Sequence, residues 1–248
     1  MPELTFQTSG NHSISVCYAS EYDGGGTVFG TRYVDVIKKK YPNRTFNNCL
    51  DWCSGPGFIG FNLLDHDICK ELHLIDSHQP AIDYAKKTIS NLPSKLNNSV
   101  KVYQIDNLKF LPAHIMFDLV VANPPHFQTE LTPKMQLLSR RYADQLNAED
   151  KEAVLKKFPV IDNKNFSRIA VDAEWQARKN FYQTIKSHLL PNGVILMQEN
   201  AAGSAVEDFE SMIDSSGLEI TDVFFDNDYG NFIPTIKIYY IEIKHKLS

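Results

Sequence analysis

The sequence predicts an α/β protein with a mostly parallel sheet and an antiparallel hairpin at one sheet edge. Three observations predict it. Short apolar runs bounded by turn residues alternate with segments of helical periodicity from residue 48 onward. The first of those runs ends in a glycine-rich turn that opens a helix. The last two runs, residues 218–225 and 235–243, follow each other without a helical segment, so no ordinary crossover joins them in parallel.

Each element has its own signal. Leu4-Thr5-Phe6 and residues 14–18 read as two short strands around the turn-rich Ser9-Gly10-Asn11, an N-terminal β extension within residues 1–22. A helix at 31–40 carries Tyr33, Val34, Val36 and Ile37 as apolar positions and stops before Pro42. Residues 48–52 form a strand, 58–64 a helix, 72–76 a strand, and 80–91 a helix with Ala81, Ile82, Ala85 and Ile89 on one face. Strands follow at 100–105 and 117–122. Residues 127–171 are long for a connection and hold an expected helix at 147–158, then Pro159-Val160-Ile161. A helix at 172–190 is expected to stop at Pro191-Asn192-Gly193, with a strand at 194–198. Ser204 and Glu207 have the spacing of a capping box for one more helix.

The 248 residues suit one domain, 43% hydrophobic and 22% charged, long enough to bury a core without staples. A net charge of −5 argues against broad nucleic-acid binding, although Lys38-Lys39-Lys40 with Arg44, and Arg140-Arg141, are local basic clusters. Cys17, Cys49, Cys53 and Cys69 form no CxxC pair, so no metal site is expected; Cys49 and Cys53, which flank a strand, read as small core residues. No signal-peptide pattern opens the chain, and no apolar run reaches the roughly eighteen residues that span a bilayer. A reduced, soluble, cytoplasmic protein is expected, monomeric or homodimeric.

Gly55, Gly57 and Gly60 follow a strand directly and fit G-x-G-x-x-G. Alone, this loop suits either a nicotinamide dinucleotide or the cofactor of a methyl transfer. Asp76, at the next strand end beside Ser77, can accept hydrogen bonds from ribose hydroxyls in either case. Asp106-Asn107 ends the third strand, where a carboxylate can meet an adenine amino group or cap a turn.

Asn123-Pro124-Pro125-His126 separates those readings. Two prolines stiffen the strand end and remove two N–H donors. What remains is acceptor-rich: the Asn123 side-chain oxygen and the Pro124 carbonyl can hold both hydrogens of an –NH2 group and aim its lone pair. The planar His126 can stack on the acceptor, assisted by Phe127, or take up its proton.

Taken in order, these motifs resemble class I S-adenosylmethionine-dependent methyltransferases of the Asn-Pro-Pro-aromatic branch, which includes release-factor glutamine methyltransferases and small-domain RNA base N-methyltransferases. The resemblance covers residues 23–126 and 172–244 and rests on Gly30-Thr31, the 51–60 loop, Asp76, Asp106-Asn107 and Asn123 to His126; Asp228-Tyr229-Gly230-Asn231 adds to it. It implies a Rossmann-like, doubly wound seven-stranded sheet in the order 3-2-1-4-5-7-6 with strand seven antiparallel. It also implies that Thr31, Asp51, Cys53, Ser54, Gly55 and Gly57 hold the methionine end of S-adenosyl-L-methionine, Asp76 and Ser77 the ribose, and Asp106 and Asn107 the adenine. Asn123 would stand near the transferring methyl, with S-adenosyl-L-homocysteine as the other product.

The chain departs from the family in three places. His126 replaces the usual Tyr or Phe, only about thirty residues precede Thr31, and residues 127–171 are long enough for a lid or substrate-recognition insertion. A small-molecule, peptide or protein acceptor is expected, with an RNA base as the alternative. An NAD(P)-dependent oxidoreductase leaves Asn-Pro-Pro and the terminal hairpin unexplained. A non-catalytic relic would have no need of intact acidic anchors.

Overall fold

The chain begins in a small antiparallel pair, β1 (Glu3–Gln7) and β2 (Ser15–Ala19), where two N-terminal strands are predicted. Helix α1 (Gly26–Lys40) leads to β3 (Phe46–Trp52), and α2 (Phe58–Asp65) to β4 (Cys69–Asp76). Helices α3 (Gln79–Ser90) and α4 (Ser94–Asn97) precede β5 (Val100–Gln104), and a 3-10 turn at Leu108–Phe110 precedes β6 (Phe117–Ala122). Then come α5 (Gln176–Ile185), β7 (Leu189–Asn200), α6 (Glu207–Ser215), β8 (Leu218–Phe225) and β9 (Ile238–His245). This computed structural model describes residues 3–19, 22, 26–128, 171–201, 203–226 and 238–246. Most of the expected insertion, its helix at 147–158, Arg140-Arg141 and the turn at 228–231 lie outside the described residues.

Seven strands pair in the order β5-β4-β3-β6-β7-β9-β8. The strands from β5 to β7 are mutually parallel, and β9 is antiparallel to both β7 and β8. Numbered along the chain within this sheet, the order is 3-2-1-4-5-7-6, as the resemblance implies. The terminal hairpin forms as expected, with β9 threaded inside β8, so that β8 is the edge.

Strand composition follows from burial. All six positions of β6 are buried, because helices cover both faces of a parallel sheet. Leu119, Val121, Leu196 and Tyr240 face a core shared with Tyr33 of α1, Phe61 of α2 and Ala85 of α3. Val120, Ala122, Met197 and Tyr239 face the opposite core, built on Phe181 of α5 and Phe209 of α6. The N-terminal hairpin is tied to the first face: Asp65 accepts the Gly10 and His12 N–H groups at 2.5 and 2.6 Å, and Cys17 N–H bonds Thr88 Oγ1 at 2.9 Å.

Helix α1 starts five residues before the expected Thr31, and other boundaries depart further. Helix α5 ends at Ile185, a 3-10 turn at Lys186–His188 follows, and β7 has already begun at Leu189. Pro191-Asn192-Gly193 is therefore an irregularity within β7 and not a helix stop. On β6, Phe117 and Leu119 are two residues apart, but their partners Leu189 and Val194 are five apart. The capping box does not form either. Helix α6 starts at Glu207 after Val206, and Asp208 takes the Ala205 N–H at 2.8 Å. The Ser204 hydroxyl turns instead to Glu199 Oε2 at 3.2 Å and the Tyr239 hydroxyl at 3.3 Å. No helix among the described residues is long and apolar enough to cross a membrane.

Candidate active site

Because β3 to β6 run parallel, the segments after them leave the sheet at one edge, and the strand order reverses between β4 and β6 about β3. Such a switch point is where open α/β sheets bind ligands.

After β3 the chain turns sharply, with Cys53 at φ 57° and Gly57 at φ 93°. A side chain at Gly57 would also strike the Phe61 ring, its Cβ only 2.7 Å away, so glycine is required on both counts. Asp76 ties this loop to the end of β4: its oxygens accept Gly55 N–H and His78 N–H, each at 2.8 Å. Burial raises the Asp76 carboxyl above its ordinary value, against those backbone bonds. Below the loop, Asp51 is fully buried. One oxygen accepts Gly60 N–H at 2.8 Å, and the other has no partner among the described residues. Burial pushes the Asp51 carboxyl up to about 7; the Gly60 bond opposes this and Asp76 adds to it.

The remaining expected residues border the same loop. Thr31 is half-buried in α1 beside Gly30, whose missing side chain lets α1 press on the Phe58 carbonyl and the Asn62 side chain of α2. Ser54 is buried, while Ser77 and Asp106 are exposed. Asn107, not Asp106, caps the 3-10 turn, accepting Lys109 N–H at 2.9 Å. Cys53 is half-buried, so only Cys49 of that pair is the core residue expected.

These residues fit a nucleoside cofactor that carries positive charge. The carboxylates of Asp51, Asp76 and Asp106 supply acceptors along one edge, and Asp51 has an oxygen to spare. A Cβ built on Gly55 meets nothing within 4 Å among the described residues, so the loop faces open space.

The end of β6 is braced from three elements. The Tyr33 hydroxyl of α1 bonds the Ala122 carbonyl at 2.5 Å and lies 3.1 Å from the Leu196 carbonyl. Gln198 of β7 donates to Asn123 Oδ1 at 3.1 Å, and the Tyr240 hydroxyl of β9 donates to Gln198 Oε1 at 3.3 Å. This relay takes one lone pair of the Asn123 oxygen, and among the described residues nothing takes the second. Pro124 is buried and Pro125 half-buried.

Below Pro125 and His126 lies an ion cluster that sequence reasoning missed. Arg178 of α5 is fully buried. Its guanidinium grips both oxygens of Glu199 at 2.7–2.9 Å, bonds Asp172 Oδ2 at 3.0 Å and donates to the Pro125 carbonyl at 2.5 Å. Burial alone would lower the guanidinium pKa; Glu199 and Asp172 more than offset that, and it stands raised. Trp175 and Phe209 cover the cation at 4.8 and 5.1 Å. His126 Nδ1 stands 3.3 Å from Glu199 Oε2. Asp172 also accepts the Ala177 and Arg178 N–H groups and is joined to Phe127 through its own N–H, beside a Phe127–Val171 bridge. The sequence held one signal for this cluster: Glu199 continues an apolar run, Val194 to Met197, that has no room for an unpaired charge.

Comparison with known proteins agrees with this architecture. Residues 26–145 match the family model of the methyltransferase small domain. The chain resembles the glycopeptide N-methyltransferase MtfA in its complex with S-adenosylmethionine, with a TM-score of 0.53 at 11% identity over 89% of this chain and 94% of that one. It resembles the ribosomal protein L11 methylase of Lactobacillus delbrueckii subsp. bulgaricus, with a TM-score of 0.50 at 12% identity over 88% and 79%. It also resembles an S-adenosylmethionine-dependent methyltransferase of Clostridium acetobutylicum, with a TM-score of 0.51 at 13% identity over 91% and 94%. No curated protein sequence matches the chain. Residues 26–145 are thus similar to the methyltransferase small domain, and the sheet has the fold of the S-adenosylmethionine-dependent methyltransferase structures it resembles.

Proposed function

We propose that the chain transfers a methyl group from S-adenosylmethionine to a planar amide or amino nitrogen of a small-molecule, peptide or protein acceptor, as one domain of the Asn-Pro-Pro branch. The observation that carries this reading is Asn123 at the end of β6, its oxygen aligned by Gln198 and followed by the rigid Pro124-Pro125. The cofactor supplies a methyl already activated by the positive charge on sulfur. Thr31, Asp51, Cys53, Ser54, Gly55 and Gly57 hold its methionine end, Asp76 and Ser77 its ribose, and Asp106 and Asn107 its adenine. The second lone pair of Asn123 Oδ1 and the Pro124 carbonyl take the two hydrogens of the acceptor nitrogen, which points its lone pair along the transfer line. Residues 127–171 recognise the acceptor; their two ends meet at Phe127 and Val171, next to His126.

The test uses labelled S-adenosylmethionine with three acceptors: a short peptide carrying one glutamine, an aromatic amine, and a single-stranded RNA. Label is expected on the nitrogen of the first or second. Label on the RNA alone, or on oxygen or carbon, overturns the reading. With the labelled acceptor, Asn123→Ala is expected to lose turnover by about 10²-fold while calorimetry finds S-adenosylhomocysteine binding unchanged. Full turnover in that variant removes Asn123 from the mechanism.

A further inference from the structure

Among the described residues, the buried cluster beneath His126 is short of one positive charge. Arg178 is a single cation serving two buried carboxylates, Glu199 and Asp172. Its guanidinium is tied to Glu199, Asp172 and the Pro125 carbonyl, so it has little freedom to turn toward a ligand. Glu199 is fully buried and receives Arg178, the Ser204 hydroxyl and the His126 ring. A carboxylate held in this way only accepts, so the ring nitrogen facing it must carry a hydrogen. The neutral imidazole then has its proton on Nδ1 and its lone pair on Nε2. Among the described residues no other hydrogen bond reaches the ring, and the His126 side chain keeps 15% of its surface open. The ring directly follows Asn123-Pro124-Pro125, so this nitrogen belongs to the acceptor side of the site.

We propose that His126 takes the proton released by the methylated nitrogen, and that Glu199 and Arg178 are positioning residues that hold its Nδ1–H tautomer. This rests on the nitrogen acceptor proposed above. As the nitrogen lone pair bonds the methyl carbon, the carbon–sulfur pair departs on sulfur and the N–H proton passes to Nε2. The sulfonium ends as a neutral thioether, the nitrogen as a neutral N-methyl group and His126 as an imidazolium. That imidazolium supplies the positive charge that Glu199 and Asp172 lack. Among the described residues, the other titratable groups around the cluster are Tyr33 on α1, Cys53 after β3, Tyr182 on α5, Tyr239 on β9 and Asp208 on α6. Burial raises the three tyrosines and the Cys53 thiol well above their ordinary values, so they stay neutral.

The decisive measurement needs no acceptor. Long-range proton–nitrogen NMR of the full chain, labelled with 15N-histidine and saturated with S-adenosylhomocysteine, reads the tautomer of His126. Wild type is expected to show the Nδ1–H form, with Nε2 carbethoxylated by diethyl pyrocarbonate. In Glu199→Gln the tautomer is expected to redistribute toward Nε2–H and the carbethoxylation rate to fall roughly tenfold. Glu242→Gln, the same charge change on the opposite face of the sheet, is expected to leave both readings at wild-type values. A wild-type ring in the Nε2–H form overturns the proposal without any variant having to fold, and so does a Glu199→Gln ring identical to wild type.

A second arm uses the glutamine peptide. His126→Phe is expected to lose about 10²-fold in turnover together with the acid limb of the pH profile, with cofactor-product binding retained. Unchanged turnover and an unchanged acid limb overturn the catalytic role. If neither the peptide nor the aromatic amine is methylated at nitrogen while His126 shows the Nδ1–H form, the acceptor reading has failed and the positioning by Glu199 stands.

Discussion

Two buried carboxylates, Glu199 on β7 and Glu242 on β9, are charged in opposite ways. Glu242 lies on the α1 face, where Lys40 and Lys244 reach it at 2.9 and 2.7 Å, Thr221 donates at 2.7 Å and the Tyr41 hydroxyl bonds it. Burial alone would raise its carboxyl, but those four groups draw it down to about 2. Glu199, on the α5 face, shares one arginine with a second carboxylate and spends its remaining capacity on a serine and a histidine. The first site is saturated with cations and has nothing left to do. The second, among the described residues, shares one cation between two carboxylates and faces His126. Similar burial thus serves stability in one place and leaves room for a proton in the other.

The largest break in this contrast is Arg178→Leu. It strands two buried carboxylates at once and is expected to cost about 3–5 kcal/mol, lowering the calorimetric unfolding temperature by roughly 10 °C. Lys40→Leu leaves Glu242 with Lys244, and an equal loss there would erase the distinction.

Glu242→Gln probes the saturated site through pH. The folded carboxyl lies below its ordinary value, so its stabilisation is complete above about 4.5 and disappears as pH falls through about 2. Urea unfolding at pH 7 is expected to show a loss on the order of 2–3 kcal/mol, and the variant is expected to lack that part of the acid decline.

Asp51, with no cation beside it among the described residues, extends the series. Its folded value near 7 lies above the ordinary carboxylate value, so the folded chain retains a proton there and ligand-free stability declines as pH rises from about 4 to 7. A bound ammonium or sulfonium favours the ionised form. S-adenosylmethionine should therefore bind up to about tenfold more weakly for each pH unit below 7, and Asp51→Asn should flatten that slope in titration calorimetry. Ser204→Ala, which removes one neutral donor from Glu199, is expected to have the smallest effect, about 1 kcal/mol.

Much of the sheet was readable because its strands hold short apolar runs bounded by turn residues, although β5 and β6, and β7 and β8, follow each other in sequence without pairing. The hairpin of β8 and β9 was readable because no helix separates them. Details that depend on contacts distant in sequence were not. Ser204 carries the local pattern of a cap, yet a carboxylate on β7 and a tyrosine on β9 outbid the helix N-terminus for its hydroxyl. Pro191-Asn192-Gly193 reads as a helix stop because proline and glycine also suit a strand irregularity, and only pairing with β6 distinguishes the two. Asn123 was evident from its neighbours in sequence. Gln198, which orients it from 75 positions away, was not.

The threading of β9 between β7 and β8 sets a timetable for a chain leaving the ribosome. The glycine loop and Asn123 emerge before Tyr240, which aligns Gln198 and through it Asn123 from the last strand of this sheet in chain order. On the roles proposed above, ribosome-bound chains halted before residue 238 are expected to retain S-adenosylhomocysteine without methylating an acceptor.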